Sequence, residues 1–454
     1  MRTKNLKKPG AAQPAAPSLE ELIETLAELN EEKVGEIMVE AVPRVKSVYG
    51  ELRSIGDNGV ARPIDIGETT KLMVATLKYL GIPAEKRRSY GNMNRAKAAA
   101  RYWALFAPVD DALLDLPGAV CTPKGPIFLN GTVPGAVFTG CTRVDPASGH
   151  AAWDEVMLEW MSGEQGHADW LQVAYGAALF GYGQELRHVL VNVGNGFNGK
   201  SVFHRVLHDV LGPLAGTVSI DTICSPTLAK DGSAHKADVA AMFGRRLITT
   251  CETDSGFRID AKGIKTMAGG LDPLVARRPY AVEPISFLPT FLLVMSTNYL
   301  PSMPGHDGAL WDRLVLINWK QRYPNDPVVT ARIRALAPEC LAWLIDGARK
   351  YVTNQRQLPA KPAEWTATIN EARVDADPLG EWITDNLMPQ VGTYESLSLH
   401  QIAFMVKLDF AGVNDDPPKS SALTYALKRA GYKCQHTRNG NVWNCMWRPG
   451  RKTN

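Results

Sequence analysis

Apolar residues recur along the chain in two rhythms, and the change from one to the other divides it. Leu19, Leu22, Ile23 and Leu26 return on one helical face behind Ser18, and Ser18 with Glu21 forms a capping box, so the spacing predicts an amphipathic helix over 18–30. The same period predicts helices over 68–80 and 94–106, which makes the front third mainly helical. Between 116 and 160 the texture turns to short β-prone pieces at 119–122, 125–131 and 137–139, set between Gly and Pro turns and followed by a helix over 152–161.

Further on, three apolar and β-branched runs at 188–193, 246–252 and 290–298 alternate with helical stretches, the first of them preceded by the apolar positions of 169–180. Strands with helical spacers imply a parallel sheet covered by helices. The stretch 274–287 can form a hairpin with Arg277, Arg278 and Tyr280 near its tip. Near the C-terminus, helical patterns at 379–387, 397–410 and 420–430 precede a hairpin of 432–436 with 441–447, whose turn holds Asn439-Gly440. Three helices and a hairpin suggest a winged helix.

The first apolar run leads into Gly194, Asn195, Gly196, Phe197, Asn198, Gly199, Lys200 and Ser201, and these open an apolar-periodic helix. Strand, G-x-x-x-x-G-K-S and helix in that order are the context of a phosphate-binding loop. A triphosphate needs many N–H donors converging on its oxygens, and glycines let the backbone come close. Lys200 would hold the β and γ phosphates of ATP and Ser201 a Mg²⁺, with the helix dipole in support. Glu252 ends the second run, where such an enzyme needs a carboxylate for the Mg²⁺ shell and the attacking water. Asn298 ends the third, as an amide able to orient the same water.

Composition narrows the class. At 454 residues and 45% hydrophobic content, two or three folded domains are expected. Net charge is only +3, but from Pro417 to Asn454 there are eight Lys and Arg residues and no acid, which invites a polyanion. Lys428 and Arg429 on the third C-terminal helix and Arg438 at the wing are the expected contacts to duplex DNA. Seven cysteines show no metal-ligand spacing, and no run of eighteen apolar residues exists, so neither a zinc site, a disulfide framework nor a membrane span is expected. The N-terminus does not read as a signal peptide, and a cytoplasmic protein of a bacterial host is the expectation.

The order of G-x-G-x-N-G-K-S, a strand ending in Glu252, Lys265 followed by Gly269-Gly270, Asp272 and Arg277, then Ser296-Thr297-Asn298-Tyr299-Leu300-Pro301 and Trp311-Asp312-Arg313-Leu314 resembles the superfamily 3 helicases, most of all the phage, plasmid and poxvirus primase-helicases. The resemblance covers about Gly118 onward. It implies an AAA+-like ATPase that binds ATP and Mg²⁺ through Lys200, Ser201 and Glu252, a sensor at Asn298, and an arginine finger, Arg313, reaching the neighbouring subunit's site. It also implies a channel hairpin that grips single-stranded DNA through Arg277, Arg278 and Tyr280, Lys265 as a further DNA contact, and a homo-oligomer, usually a hexamer of 3′ to 5′ polarity. The chain departs from the pattern at Cys251, where relatives carry a second acid, leaving Asp254 as an alternative, and at Leu271 and Asp312.

The expectation is an α/β chain: a disordered tail (1–17), a mainly helical N-terminal region (18–115), a small β subregion (116–165), a P-loop ATPase domain (166–325), a helical connector (326–375) and a winged-helix-like DNA-binding domain (376–454). Its function would be an ATP-dependent, ring-forming replicative DNA helicase of a phage, prophage, satellite or plasmid. The region before 116 shows no metal-binding acid pattern, so priming is left to a separate primase or host replication proteins. An ATP-switched DNA-binding initiator without unwinding is the main rival; a nucleoside kinase would lack the Asn298 and Arg313 motifs.

Overall fold

Asn30 begins a helix. Its Oδ1 accepts from the Lys33 amide at 2.8 Å and caps α1 (Glu31–Ala41), whereas the expected helix over 18–30 lies almost wholly outside the described residues. The computed structural model describes residues 29–48, 51–226, 234–250, 257–269, 272–276, 284–298, 303, 307–390, 396–410, 419–437 and 440–449.

Three short antiparallel strands follow α1: β1 (Val45–Val48), β2 (Glu51–Ile55) and β3 (Ala61–Pro63). Then come α2 (Ile66–Tyr79), α3 (Ala84–Arg88) and α4 (Met93–Phe106). The helices expected at 68–80 and 94–106 are present and helix predominates among the described residues of the front third, which also holds a small sheet that the sequence pattern does not show. Runs this short, interrupted by Lys46, Arg53 and Arg62, do not let a period of two stand out. The region has its own core, in which Val34, Met38, Met73, Leu77 and Trp103 are fully buried.

β4 (Ala119–Thr122) and β5 (Gly125–Phe128) form a hairpin, while the third expected strand, 137–139, makes only single bridges from Val137 to Leu114 and from Phe138 to Val60. α5 (Ala151–Trp160) and α6 (Gln165–Ala177) lead to β6 (Val189–Val193), α7 (Lys200–Leu211), β7 (Ala215–Val218) and β8 (Leu247–Thr250). Next are α8 (Ala261–Met267), the antiparallel pair β9 (Leu274–Ala276) and β10 (Ile285–Phe287), then β11 (Leu292–Thr297) and β12 (Leu314–Asn318). β12, β6, β11, β8 and β7 lie side by side in that order as a five-stranded parallel sheet, the α/β core that the loop motif requires. The sequence pattern foresees the three interior strands and misses the two edges.

Helices α9 (Pro327–Ala335), α10 (Ala337–Thr353) and α11 (Ala363–Ala376) come after the sheet. α10 packs on α6 at backbone contact, because a Cβ on Gly176 would overlap the Leu344 carbonyl oxygen. Trp153 and Trp160 of α5 and Trp343 of α10 join Phe203 of α7 and Trp319 in one aromatic block, with neighbouring ring centroids 5.7–6.5 Å apart. Residues on both sides of the sheet in sequence therefore share a core with it. At the C-terminus, α12 (Pro378–Asn386), β13 (Leu397–Ser398), α13 (Leu399–Phe410), α14 (Ser420–Arg429), β14 (Cys434–Thr437) and β15 (Gly440–Trp443) give the expected three helices and hairpin, with β13 added to the hairpin's edge. Ile383, Ile402, Leu427 and Trp443 are the centre of its separate core. No described helix is long and apolar enough to cross a membrane.

Candidate nucleotide site

β6 delivers the glycine-rich loop to one edge of the sheet. The loop turns through three residues of positive φ, Gly196 at 83°, Phe197 at 52° and Gly199 at 90°, before α7 starts at Lys200. An aromatic residue in the left-handed region is uncommon, and such strain collects where the backbone is shaped around a ligand. Gly199 is required twice over, because a Cβ there would also come within 2.5 Å of the Trp160 indole nitrogen. Gly194 is hemmed in by Asn198 and the Trp319 carbonyl. Lys200 is buried, and its Nζ donates to the Gly194 carbonyl at 2.6 Å, so the side chain folds back over the loop. Ser201 is exposed beside it on the first turn.

β11 lies against β6 in parallel register, Thr297 opposite Val193, and the Gly194 amide donates to the Thr297 carbonyl at 3.3 Å. Asn298 is thereby placed at the loop's first residue. Its Oδ1 is buried with no hydrogen-bond partner, a cost of about 1–3 kcal/mol that a ligand contact would remove. β8 is the next strand, and it ends at Thr250 on the same edge. Glu252 and Asp254 follow it but lie outside the described residues. Among the described residues no group of three or more His, Cys, Asp and Glu could hold a metal.

A buried polar chain lies under the loop. Trp319 Nε1 donates to Asn192 Oδ1 at 2.8 Å, Asn192 Nδ2 faces His204 Nε2 at 3.1 Å, and His204 Nδ1 faces Ser296 Oγ at 3.3 Å. With the amide donating, His204 Nε2 must accept, so the ring is neutral with its proton on Nδ1. Burial pushes this imidazole down to about 3. The chain ties α7 to β6, β11 and the segment after β12. A lone His one turn after Lys200 gave no such signal in the sequence.

Arg313 stands at the other edge. It immediately precedes β12, whose Leu314 pairs with Val189 at the start of β6. The length of β6, about 16 Å at the usual strand rise, separates it from its own loop. Its guanidinium donates through Nε to the Ala268 carbonyl at 3.0 Å and through Nη1 to the Ala309 carbonyl at 2.6 Å. Lys265 of α8 is ion-paired to Asp307 at 2.8 Å. β9 and β10 pair as expected of the hairpin 274–287, but Arg277, Arg278 and Tyr280 at its tip lie outside the described residues. In the C-terminal domain Lys428 is exposed, Arg429 is ion-paired to Asp377, and Arg438 lies outside the described residues.

Sequence reasoning missed the cleft beside the loop. Trp160, Phe197, Val202, Tyr323, Ile333 and Leu336 line a cavity of about 350 Å³, large enough for a nucleobase and ribose. Tyr323 is fixed there by its amide, which donates to the Phe197 carbonyl at 2.7 Å. These residues come from four separate segments, and no local motif joins them.

The chain is related at low identity to viral proteins named as helicases. It is 28% identical over 198 residues to "Putative helicase 022R" of Frog virus 3 (isolate Goorha), covering 40% of this chain and 20% of that protein. It is 28% identical over 139 residues to "Putative helicase 184R" of Invertebrate iridescent virus 6, covering 29% of this chain and 14% of that protein. The chain thus matches a fifth or less of the length of these relatives. No family model matches it. Among solved structures, the apo C-terminal region of NrS-1 aligns over 92% of this chain and 98% of its own, with a TM-score of 0.47 and 10% identity. A second structure of that region, residues 305–718, aligns over 92% and 99% with the same TM-score and identity.

Proposed function

We propose that the chain is an ATP-driven DNA helicase of the superfamily 3 type, assembled as a ring and serving replication of a phage, prophage, satellite or plasmid. The observation that carries the reading is the convergence at one sheet edge of the strained loop, Lys200 and the unpartnered Asn298 amide oxygen. The low-identity relationship to viral proteins named as helicases points to the same class.

In this reading the loop amides and Lys200 hold the phosphates of ATP, and the cleft of Trp160, Phe197 and Tyr323 takes the base and ribose. Ser201 and Glu252 would hold a Mg²⁺, which supplies charge neutralisation at the transferred phosphoryl group. Asn298 orients the water or the γ-phosphate, and Arg313 completes the site of the adjacent subunit, far as it stands from its own loop. Two subunits then make one active site, which ties hydrolysis to assembly. The hairpin between β9 and β10 would carry Arg277, Arg278 and Tyr280 to single-stranded DNA, and Lys428, Arg429 and Arg438 would meet duplex phosphates.

The test is ATP hydrolysis with and without single-stranded DNA, together with strand displacement from duplexes tailed on either end, for the natural chain and Lys200→Ala. DNA-stimulated hydrolysis with displacement, both abolished by the substitution, is expected. Hydrolysis without displacement on either tail would replace the motor with an ATP-switched initiator.

A further inference from the structure

From Thr69 to Val109 the sequence has eight Lys and Arg residues against a single acid, Glu85. This bias falls on α2, α3 and α4, helices to which the helicase reading gives no task. The fold turns part of it into a defined feature. Lys97 and Arg101, one turn apart on α4, line an open cleft of about 560 Å³ against β3 and the first turn of α2. Acids line the facing wall, but each is already engaged. Glu68 binds Arg62 at 3.1 Å, Glu51 binds Arg53 at 3.4 Å, and Asp65 accepts from the Glu68 amide at 2.7 Å as the cap of α2. Lys97 and Arg101 are exposed and make no ion pair with any described residue. Lys78 and Arg88 on the neighbouring helices are likewise exposed without a described ion pair, and Tyr79 beside them is 90% exposed.

We infer that this N-terminal cleft is a second DNA contact, binding the phosphodiester backbone of a single strand through Lys97 and Arg101. Two cations engaged in no described ion pair, on helices that carry eight Lys and Arg residues against Glu68 and Glu85, match a ligand that repeats its negative charge along its length. A small phosphate compound fits less well, because the cleft is open and lacks a buried donor to orient one group. The inference rests on the reading that the chain acts on DNA, but not on the ATPase site or the channel hairpin.

The experiment measures fluorescence anisotropy of labelled oligo-dT with the full chain, free of nucleotide, across a salt series. K97E/R101E is expected to weaken binding about 10-fold near 0.1 M salt and to lower the slope of log affinity against log salt by about 1.4, the share of two phosphates on a single strand. K97R/R101K, which keeps the charges, should bind like the natural chain, and far-UV circular dichroism and DNA-free hydrolysis should be unchanged in both. Unchanged affinity and slope in K97E/R101E, while K428E lowers either, would overturn the cleft and leave the DNA reading in place. Failure of the natural chain to bind any DNA would overturn both.

Discussion

Arg313 and Lys200 flank the same pair of parallel strands at opposite ends. Leu314, the residue after Arg313, pairs with Val189 at the start of β6, and Lys200 follows the loop that leaves the other end at Val193. In the proposed reading a guanidinium in that place serves catalysis by leaving the Ala268 and Ala309 carbonyls for a second subunit's loop. Lys200→Ala and Arg313→Ala should each lower the turnover number for ATP by about 10³-fold or more. Mixed at constant total protein, the two should regain part of it, since some interfaces then combine an intact Lys200 with an intact Arg313. Co-assembly seen by native mass spectrometry without any regained hydrolysis would exclude the shared site.

Asn298 differs from these two in what its loss should do. Its amide oxygen is buried and unpartnered beside the loop, and in the proposed reading it meets the attacking water during hydrolysis. Asn298→Ala should lower kcat by about 10²-fold or more while KM changes little, as when a single preorganised polar group is removed. A raised KM with intact kcat would make Asn298 a ground-state binding residue instead.

Two glycines of the loop should respond unequally to the same added methyl. Gly196→Ala meets only the strain of positive φ, because nothing lies within 4 Å of its Cβ, and about 1–2 kcal/mol is expected. Gly199→Ala adds to that strain a contact at 2.5 Å with the indole of Trp160, itself locked among Trp153, Phe203 and Trp319. Its loss in urea unfolding should exceed that of Gly196→Ala by at least about 1 kcal/mol, with weakened nucleotide binding. Equal losses would show that Trp160 gives way freely.

The loop, the interior strands and the C-terminal helices were legible because each carries a local signal: glycines at fixed spacing, a run of apolar and β-branched residues leading into a recognisable polar motif residue, or helical periodicity. β7 escaped because Ala215-Gly216-Thr217-Val218 has neither length nor apolar content, and β12 because four consecutive apolar residues do not separate strand from buried helix. The cleft and the Trp319–Asn192–His204–Ser296 chain were out of reach for another reason. Each partner comes from a different element, and only the parallel register brings Asn192 and Ser296 side by side. Resemblance named Arg313 as a residue acting on a neighbour; the register adds the separation from its own loop.

His204 makes the fold sensitive to acid, with a sign fixed by the geometry. Its ordinary value of 6.5 is depressed to about 3 by burial, and protonation would set an N–H of His204 against the Asn192 amide protons. Turning the Asn192 amide over gives no escape, because its NH₂ would then face the donating Trp319 indole. The native state therefore excludes a proton that the unfolded chain binds below pH 6.5, and stability falls as pH drops through that value and onward toward 3. From pH 7 to pH 5 this one group removes about 2 kcal/mol. His188, depressed to about 4 chiefly by burial, acts in the same direction. His204→Gln should be less stable than the natural chain at pH 7, since Asn192 and Ser296 lose a partner, yet its further loss on going to pH 5 should be smaller by about 2 kcal/mol. Urea unfolding at the two pH values measures this difference, and parallel losses in the two proteins would mean that His204 is not the group that takes up the proton.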